Sequence, residues 1–314
     1  MSTANIVSIS GGKDSTATLL KAIEDGAENL TAAFADTGNE HPQTYEFVRY
    51  LEQRLGIAIT WAKADFSDRF RKRREFLQSD KCDWPEDLKQ QALALMHPTG
   101  NQFLDICLLK GRFPSRMAQF CTQELKATPI NEQVIEPLMA SHSTLYSWQG
   151  VRWDESPKRA NLATYELEFG DPDKGTGLWN YRPILSWSAQ DVFDMHRRHG
   201  VDWNPLYEQG MERVGCMPCI NVKKGELREI ARRFPEQIER ISEWEQLVSA
   251  ASKRGCATFF TVKGETDVSL ERHGVHSQVE WSRTTHGGKQ WDLIAHAEAD
   301  DEAPGCQSVY GLCE

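Results

Sequence analysis

Residues 5–23, NIVSISGGKDSTATLLKAI, constrain the fold more than any other stretch of the chain. The run over 5–10 has the length of a buried strand, whereas apolar residues from Ser15 to Ala22 recur at helical spacing. The Gly11 and Gly12 pair therefore marks a strand-to-helix turn. The same alternation repeats at once. LTAAFADTG (30–38) reads as a second strand, HPQTYEFVRYLEQRLG (41–56) as an amphipathic helix with Pro42 near its first turn and Gly56 past its last, and IAITWAKAD (57–65) as a third strand. Residues 66–110 read as helical, with later strands expected over 143–152 and 178–184. This alternation predicts an α/β fold, a doubly wound parallel sheet whose ligands sit beyond the carboxyl ends of its strands. Residues 225–255 are helical apart from a break near Pro235. We expect an α/β domain over 1–198 and a mainly helical C-terminal region over 199–314.

Charge limits the partners. Against 46 Asp plus Glu the 314 residues carry 36 Lys plus Arg, a formal charge of −10, which disfavours a protein that coats DNA or an anionic membrane. A nucleic-acid contact would have to be a local basic patch; RFRKRR (69–74) offers one, although it reads first as a solvated helix face. The chain shows no leader-like start and no apolar run of about 18 residues, so the expectation is a cytoplasmic protein with no membrane contact. Eight cysteines are too sparse for a disulfide scaffold, and clustered cysteines in a reducing compartment point to metal binding or chemistry.

The loop over 10–15 is neither GxxxxGK[ST] nor GxGxxG. Gly11 and Gly12 let backbone N–H groups approach an anion, the following helix adds its positive end, and Lys13 and Ser15 can donate to phosphate oxygens. Asp14 is a candidate ligand for Mg²⁺, which prefers oxygen donors. The pattern points to a bound phosphate chain.

Ser10-Gly11-Gly12-Lys13-Asp14-Ser15 resembles the SGGxDS pyrophosphate loop of the ATP pyrophosphatases, which share the adenine nucleotide alpha-hydrolase (HUP, Rossmann-like) fold with the phosphoadenosine phosphosulfate (PAPS) reductases. ADTGNEHPQT (35–44) is similar to the D-T-G and following P-x-T of the reductase branch. The resemblance implies a nucleotide held by Ser10, Gly11, Gly12, Lys13, Asp14 and Ser15, with Asp36, Thr37 and Gly38 beside it. GRFPSRMAQFCTQELKATPI (111–130) and GVRWDESPKRA (150–160) resemble segments of PAPS reductase relatives, including the sulfur-transfer component of Dnd-type DNA phosphorothioation systems. Of the arginines there, Arg152 and Arg159 are the candidates for clamping phosphate, since guanidinium offers bidentate contacts to it; Arg112 and Arg116 are weaker ones.

Cys216 and Cys219 form a C-x-x-C that can face one metal, and zinc or a redox dithiol remain alternatives. The resemblance implies a [4Fe–4S] cluster with Cys121 as third ligand and Cys313 as fourth, Cys306 being the alternative. Cys82, Cys107 and Cys256 read as buried small hydrophobes. The reaction so implied is ATP-dependent adenylation of an acceptor such as a DNA backbone phosphate, with Lys13, Asp14, Arg152 and Arg159 as catalytic residues and sulfur supplied by a cysteine desulfurase partner through the cluster. The ending YGLCE departs from the E-C-G-[LI]-H type of the reductases. Reduction of an adenylyl sulfate to sulfite and a non-catalytic nucleotide-binding module are the competing readings.

Overall fold

The computed structural model describes residues 2–156, 159–262, 267–285 and 310. β1 (Thr3–Ile9), α1 (Lys13–Glu24), β2 (Leu30–Asp36), α2 (Pro42–Leu55) and β3 (Ile59–Lys63) alternate as expected. Three helices follow, α3 (Ser67–Gln78), α4 (Glu86–Leu95) and α5 (Gln102–Lys110), and then a helical stretch over 120–141 in which α-turns alternate with π-turns at Gln123–Ala127 and Asn131–Ile135. β4 (Thr144–Trp148), β5 (Tyr165–Asp171), β6 (Thr176–Tyr181), α6 (Ala189–His199), α7 (Lys224–Arg233) and α8 (Pro235–Ala250) complete the larger elements.

The six strands form one sheet in the order β3-β2-β1-β4-β6-β5. The first five of these pair in parallel, and β5 returns antiparallel on β6 as an edge. After β3 the chain crosses back to place β4 on the free side of β1. The winding direction therefore reverses between β1 and β4, and the loops that leave these two strands open toward each other. The two later strands differ slightly from expectation: β4 stops at Trp148, and β6 ends before Pro183, which has no N–H to give a ladder.

Side-chain alternation decides which layer each strand residue feeds. Val7 and Ile9 of β1 pack with Leu19, Leu20, Val48, Leu51 and Met195 beneath α1, α2 and α6. Ala4 and Ile6 point to the opposite face, where Ile130 and Val134 of the 120–141 stretch cover them. A third core is built from helices: Phe70, Phe103, Ile106 and Leu125 meet Ile241 and Val248, so it draws on 66–125 as well as on 206–279.

The basic run lies on α3, and three of its five basic residues are ion-paired. Arg71 pairs with Asp68 and Glu75, Lys72 with Asp68, and Arg69 with Glu124. Cys82 and Cys107 are buried as expected, whereas Cys256 is only half-buried because it stands in the irregular chain after α8. Among the described residues no helix is long and apolar enough to cross a membrane.

Glu245 of α8 is 2% exposed and accepts the backbone N–H groups of Phe259 (2.7 Å) and Val275 (2.8 Å), fastening both later segments to the helix. Burial pushes its carboxyl up to about 7 against these two donors. The native state therefore binds a proton that the unfolded chain, near 4.5, has already released. Stability from this group is fully present below pH 4.5 and is lost as pH rises through 7. In urea titrations, the stability of wild type relative to Glu245→Gln should fall by about 3 kcal/mol between pH 4 and pH 8. A constant difference across that range would contradict the assignment.

Candidate active site

The turn after β1 is shaped by close approaches. Gly11 has φ +75°, and a Cβ on it would stand 2.6 Å from Thr44 Cγ2 of α2, so no side chain fits without strain. Ser15 Oγ accepts the Ser10 N–H at 3.1 Å and donates to the Gly12 carbonyl at 2.9 Å, closing the turn on itself. α6 and the chain following it brace the turn from behind. Asn204 Nδ2 donates to the Gly11 carbonyl (3.2 Å), the Lys13 N–H donates to Tyr207 Oη (3.0 Å), and His196 Nε2 lies 3.1 Å from the Lys13 carbonyl. Burial holds the His196 imidazole below its usual range, which keeps it neutral, so one ring nitrogen can donate to this carbonyl.

The loop after β4 arrives at the switch point. Gly150 passes so close to α1 that a Cβ would come within 2.8 Å of the Asp14 carbonyl oxygen. Two residues on, buried Arg152 donates from Nε to Asp14 Oδ1 at 2.6 Å and from Nη1 to Asp154 Oδ2 at 2.6 Å. Lys13 Nζ pairs with Asp14 Oδ2 at 2.9 Å. Both Asp14 oxygens are thus taken by cations, and in this arrangement the carboxylate does not fit the part of a free Mg²⁺ ligand. Arg159 pairs with Glu155, which also accepts the Arg152 backbone N–H.

These residues enclose a pocket of about 630 Å³. Ser10, Gly12, Lys13, Asp14 and Ser15 form one wall, and Arg152 and Arg159 form another. Arg213 and Lys223 bring the cations to five, against the four carboxylates of Asp14, Asp154, Glu155 and Glu212. An anion entering here meets Lys13, Arg152, Arg159 and Lys223 already paired with carboxylates and can accept charge-assisted hydrogen bonds from them. Sequence reasoning did not assign Tyr207, Tyr310, Glu212, Arg213 or Lys223 to this pocket. They come from segments distant in sequence, and no local motif carries them.

The loop after β2 builds a neighbouring cluster. The Thr37 hydroxyl donates to Glu40 Oε1 at 2.7 Å, Tyr45 Oη lies 2.9 Å from Asp36 Oδ1 and 3.0 Å from Glu40 Oε2, and the Gly38 N–H donates to Asp36 Oδ1 at 3.1 Å. Asp36, Thr37 and Gly38 do not line the phosphate-loop pocket. Instead Glu40 bridges to Cys216, whose thiol donates to Glu40 Oε1 at 3.7 Å, and the Met217 N–H donates to the Asn39 carbonyl at 2.8 Å. Arg240 of α8 clasps the junction through Asn39 Oδ1 (2.9 Å) and the Met217 carbonyl (2.7 Å).

Cys121, Cys216 and Cys219 gather about Lys126. Cys216 first, then Glu40 and the other two thiols, hold its ammonium above the ordinary lysine range against the opposing pull of burial. Burial pushes the Cys216 thiol up to about 12, with Lys126 pulling the other way. Cysteine thiolates are the ligands that an iron–sulfur cluster takes. Among the described residues, however, no group of three or more His, Cys, Asp or Glu side chains is arranged to hold a metal ion. Cys306 and Cys313, the candidates for the fourth ligand, lie outside the described residues.

A phosphoadenosine phosphosulfate reductase domain matches residues 4–222, which takes in the phosphate turn, Arg152 and Arg159, Cys121, Cys216 and Cys219, and all but the first residue of the sheet. The chain belongs to that family. It is 45% identical to an uncharacterized 37.8 kDa protein of Escherichia phage 186, over all of this chain and 97% of the relative. It is 34% identical to the adenosine 5'-phosphosulfate reductase of Neisseria meningitidis serogroup B over 37% of this chain, and that alignment spans 45% of the reductase. Among solved structures, the PAPS reductase of Candida auris, a phosphate complex, superposes with a TM-score of 0.40 at 15% identity, covering 68% of this chain and 82% of that one.

The two arginines of this reductase-family domain differ in setting. Arg152 is buried on Asp14, and Arg159 is part-exposed on Glu155. Arg152→Ala should lower unfolding stability by about 3 kcal/mol by leaving Asp14 Oδ1 without its buried cation, and Arg159→Ala by less than about 1 kcal/mol. Denaturant titration of both variants checks this; equal losses would contradict it.

Proposed function

We propose that this family member is an ATP pyrophosphatase that adenylates an acceptor for sulfur transfer. The observation that carries the reading is the single pocket in which the Gly-Gly-Lys turn of β1 faces Arg152 and Arg159. Lys13, Arg152 and Arg159 offset charge on the phosphates, and the Ser10 hydroxyl donates to their oxygens. An acceptor oxygen bonds to the α-phosphorus, the bond from that phosphorus to its bridging oxygen breaks, and pyrophosphate leaves. Sulfide, released from the donor's persulfide by two electrons from a thiol reductant, then bonds to the acceptor's activated atom as the bond from that atom to the adenylated oxygen breaks and AMP leaves. The acceptor is a DNA backbone phosphate, a base or a small molecule, and the sulfur donor a cysteine desulfurase. ATP carries Mg²⁺ on its own phosphate oxygens, and Asp14 serves to position Lys13 and Arg152. Cys121, Cys216 and Cys219, with Cys313 or Cys306, are proposed to hold a [4Fe–4S] cluster; the influence of all three thiols on the Lys126 ammonium supports this.

The likeness to adenosine 5'-phosphosulfate reductase favours a second reading, reduction of an adenylyl sulfate to sulfite. One experiment separates the two. Anaerobically purified protein, with its iron counted, is given ATP with DNA and a sulfide source, or adenosine 5'-phosphosulfate with a thiol reductant. The proposal predicts pyrophosphate and AMP in the first mixture and no sulfite in the second. Sulfite release without ATP cleavage would overturn it.

A further inference from the structure

Tyr207 stands at the end of the short helix Pro205–Tyr207, and its side chain is almost wholly buried, with its ring edge-on to Phe193 and Tyr310. Its position is fixed from below. Asn204 caps the helix by accepting the Leu206 N–H at 3.1 Å while holding the Gly11 carbonyl through its amide. The result is a phenolic oxygen against the phosphate turn: it accepts the Lys13 N–H at 3.0 Å, and a Cβ on Gly12 would meet it at 3.2 Å. The residue lines the pocket.

A tyrosine hydroxyl has one hydrogen to give and two lone pairs. One lone pair here is taken by the Lys13 amide, and among the described residues the hydroxyl has no acceptor for its own hydrogen. Burial, and then the nearby Asp14 carboxylate, push the phenol far above its ordinary range, so it stays a neutral O–H at physiological pH. A buried donor without an acceptor costs free energy unless something in the pocket takes the hydrogen.

We infer that Tyr207 is an anion-binding residue of the phosphate turn, donating its O–H to a phosphate oxygen of the ligand. The hydroxyl thereby relays the Lys13 amide. That N–H is occupied and does not reach the ligand itself, but by donating to the phenol it polarises the O–H and makes it a stronger donor. The inference rests on the pocket being a phosphate site, as proposed above, and assigns one of its contacts.

The test is calorimetric titration of the full chain with inorganic pyrophosphate, ATP and adenosine. Tyr207→Phe keeps the ring and removes only the hydroxyl. It should weaken pyrophosphate and ATP about tenfold, the loss of one hydrogen bond to a charged group, and leave adenosine unchanged. Replacing Tyr207 by 3-fluorotyrosine keeps the packing and sharpens the donor, and it should tighten pyrophosphate binding. Unchanged or tighter binding in the Phe variant, or weaker binding with the fluorinated ring, would overturn the inference while leaving the phosphate pocket standing. If wild type bound neither pyrophosphate nor ATP, both the inference and the proposed function would fall.

Discussion

The Asp14 carboxylate, held between Lys13 beside it and Arg152 from the loop after β4, is the contact on which the rest of the site depends. It exists because β4 lies next to β1 after the winding reverses, and because Gly150 has no side chain to keep the two loops apart. The pair is mostly buried, so its attraction is little screened, and breaking one side leaves the other charge without water. It fixes the distance between the phosphate turn and the arginine loop before any ligand arrives. That is preorganisation: the cations are already collected, and the carboxylates keep them soluble and placed.

The segment over 211–222 ties this pocket to the cysteines. Val214 lines the pocket, and two residues later Cys216 bridges Glu40 in the loop after β2. Arg240 then fastens that junction to α8, so the helical core, the C-x-x-C and the sheet meet at one place. A nucleotide bound on β1 would therefore lie in the same connected framework as the thiols. This continuity is the structural support for linking adenylation to sulfur chemistry in one protein.

Much of this was legible in the sequence because it is local. The glycines at 11 and 12, the helical spacing after Ser15, and Pro42 and Gly56 at the ends of α2 announce their elements within a few residues. Arg152 and Arg159 stand out because their block carries a motif, and both line the pocket. The antiparallel β5 was overlooked although Tyr165, Leu167 and Phe169 alternate with Glu166 and Glu168 ahead of a Pro and Gly turn. Its largely exposed edge position gave no apolar run to notice. Tyr207 and Glu40 were missed for a different reason: tertiary packing alone decides what they touch. The grouping of Asp36, Thr37 and Gly38 with the phosphate turn followed from two loops sharing one sheet end, whereas the observed contacts of this loop run toward Cys216.

The central claim is that a phosphate chain binds between the turn of β1 and the loop of β4. Hydrogen–deuterium exchange with and without a non-hydrolysable ATP analogue tests it most directly, since it reports where on the chain the ligand sits. The account predicts slower exchange confined chiefly to residues 10–16 and 149–156. Protection elsewhere with these two segments unchanged would contradict it.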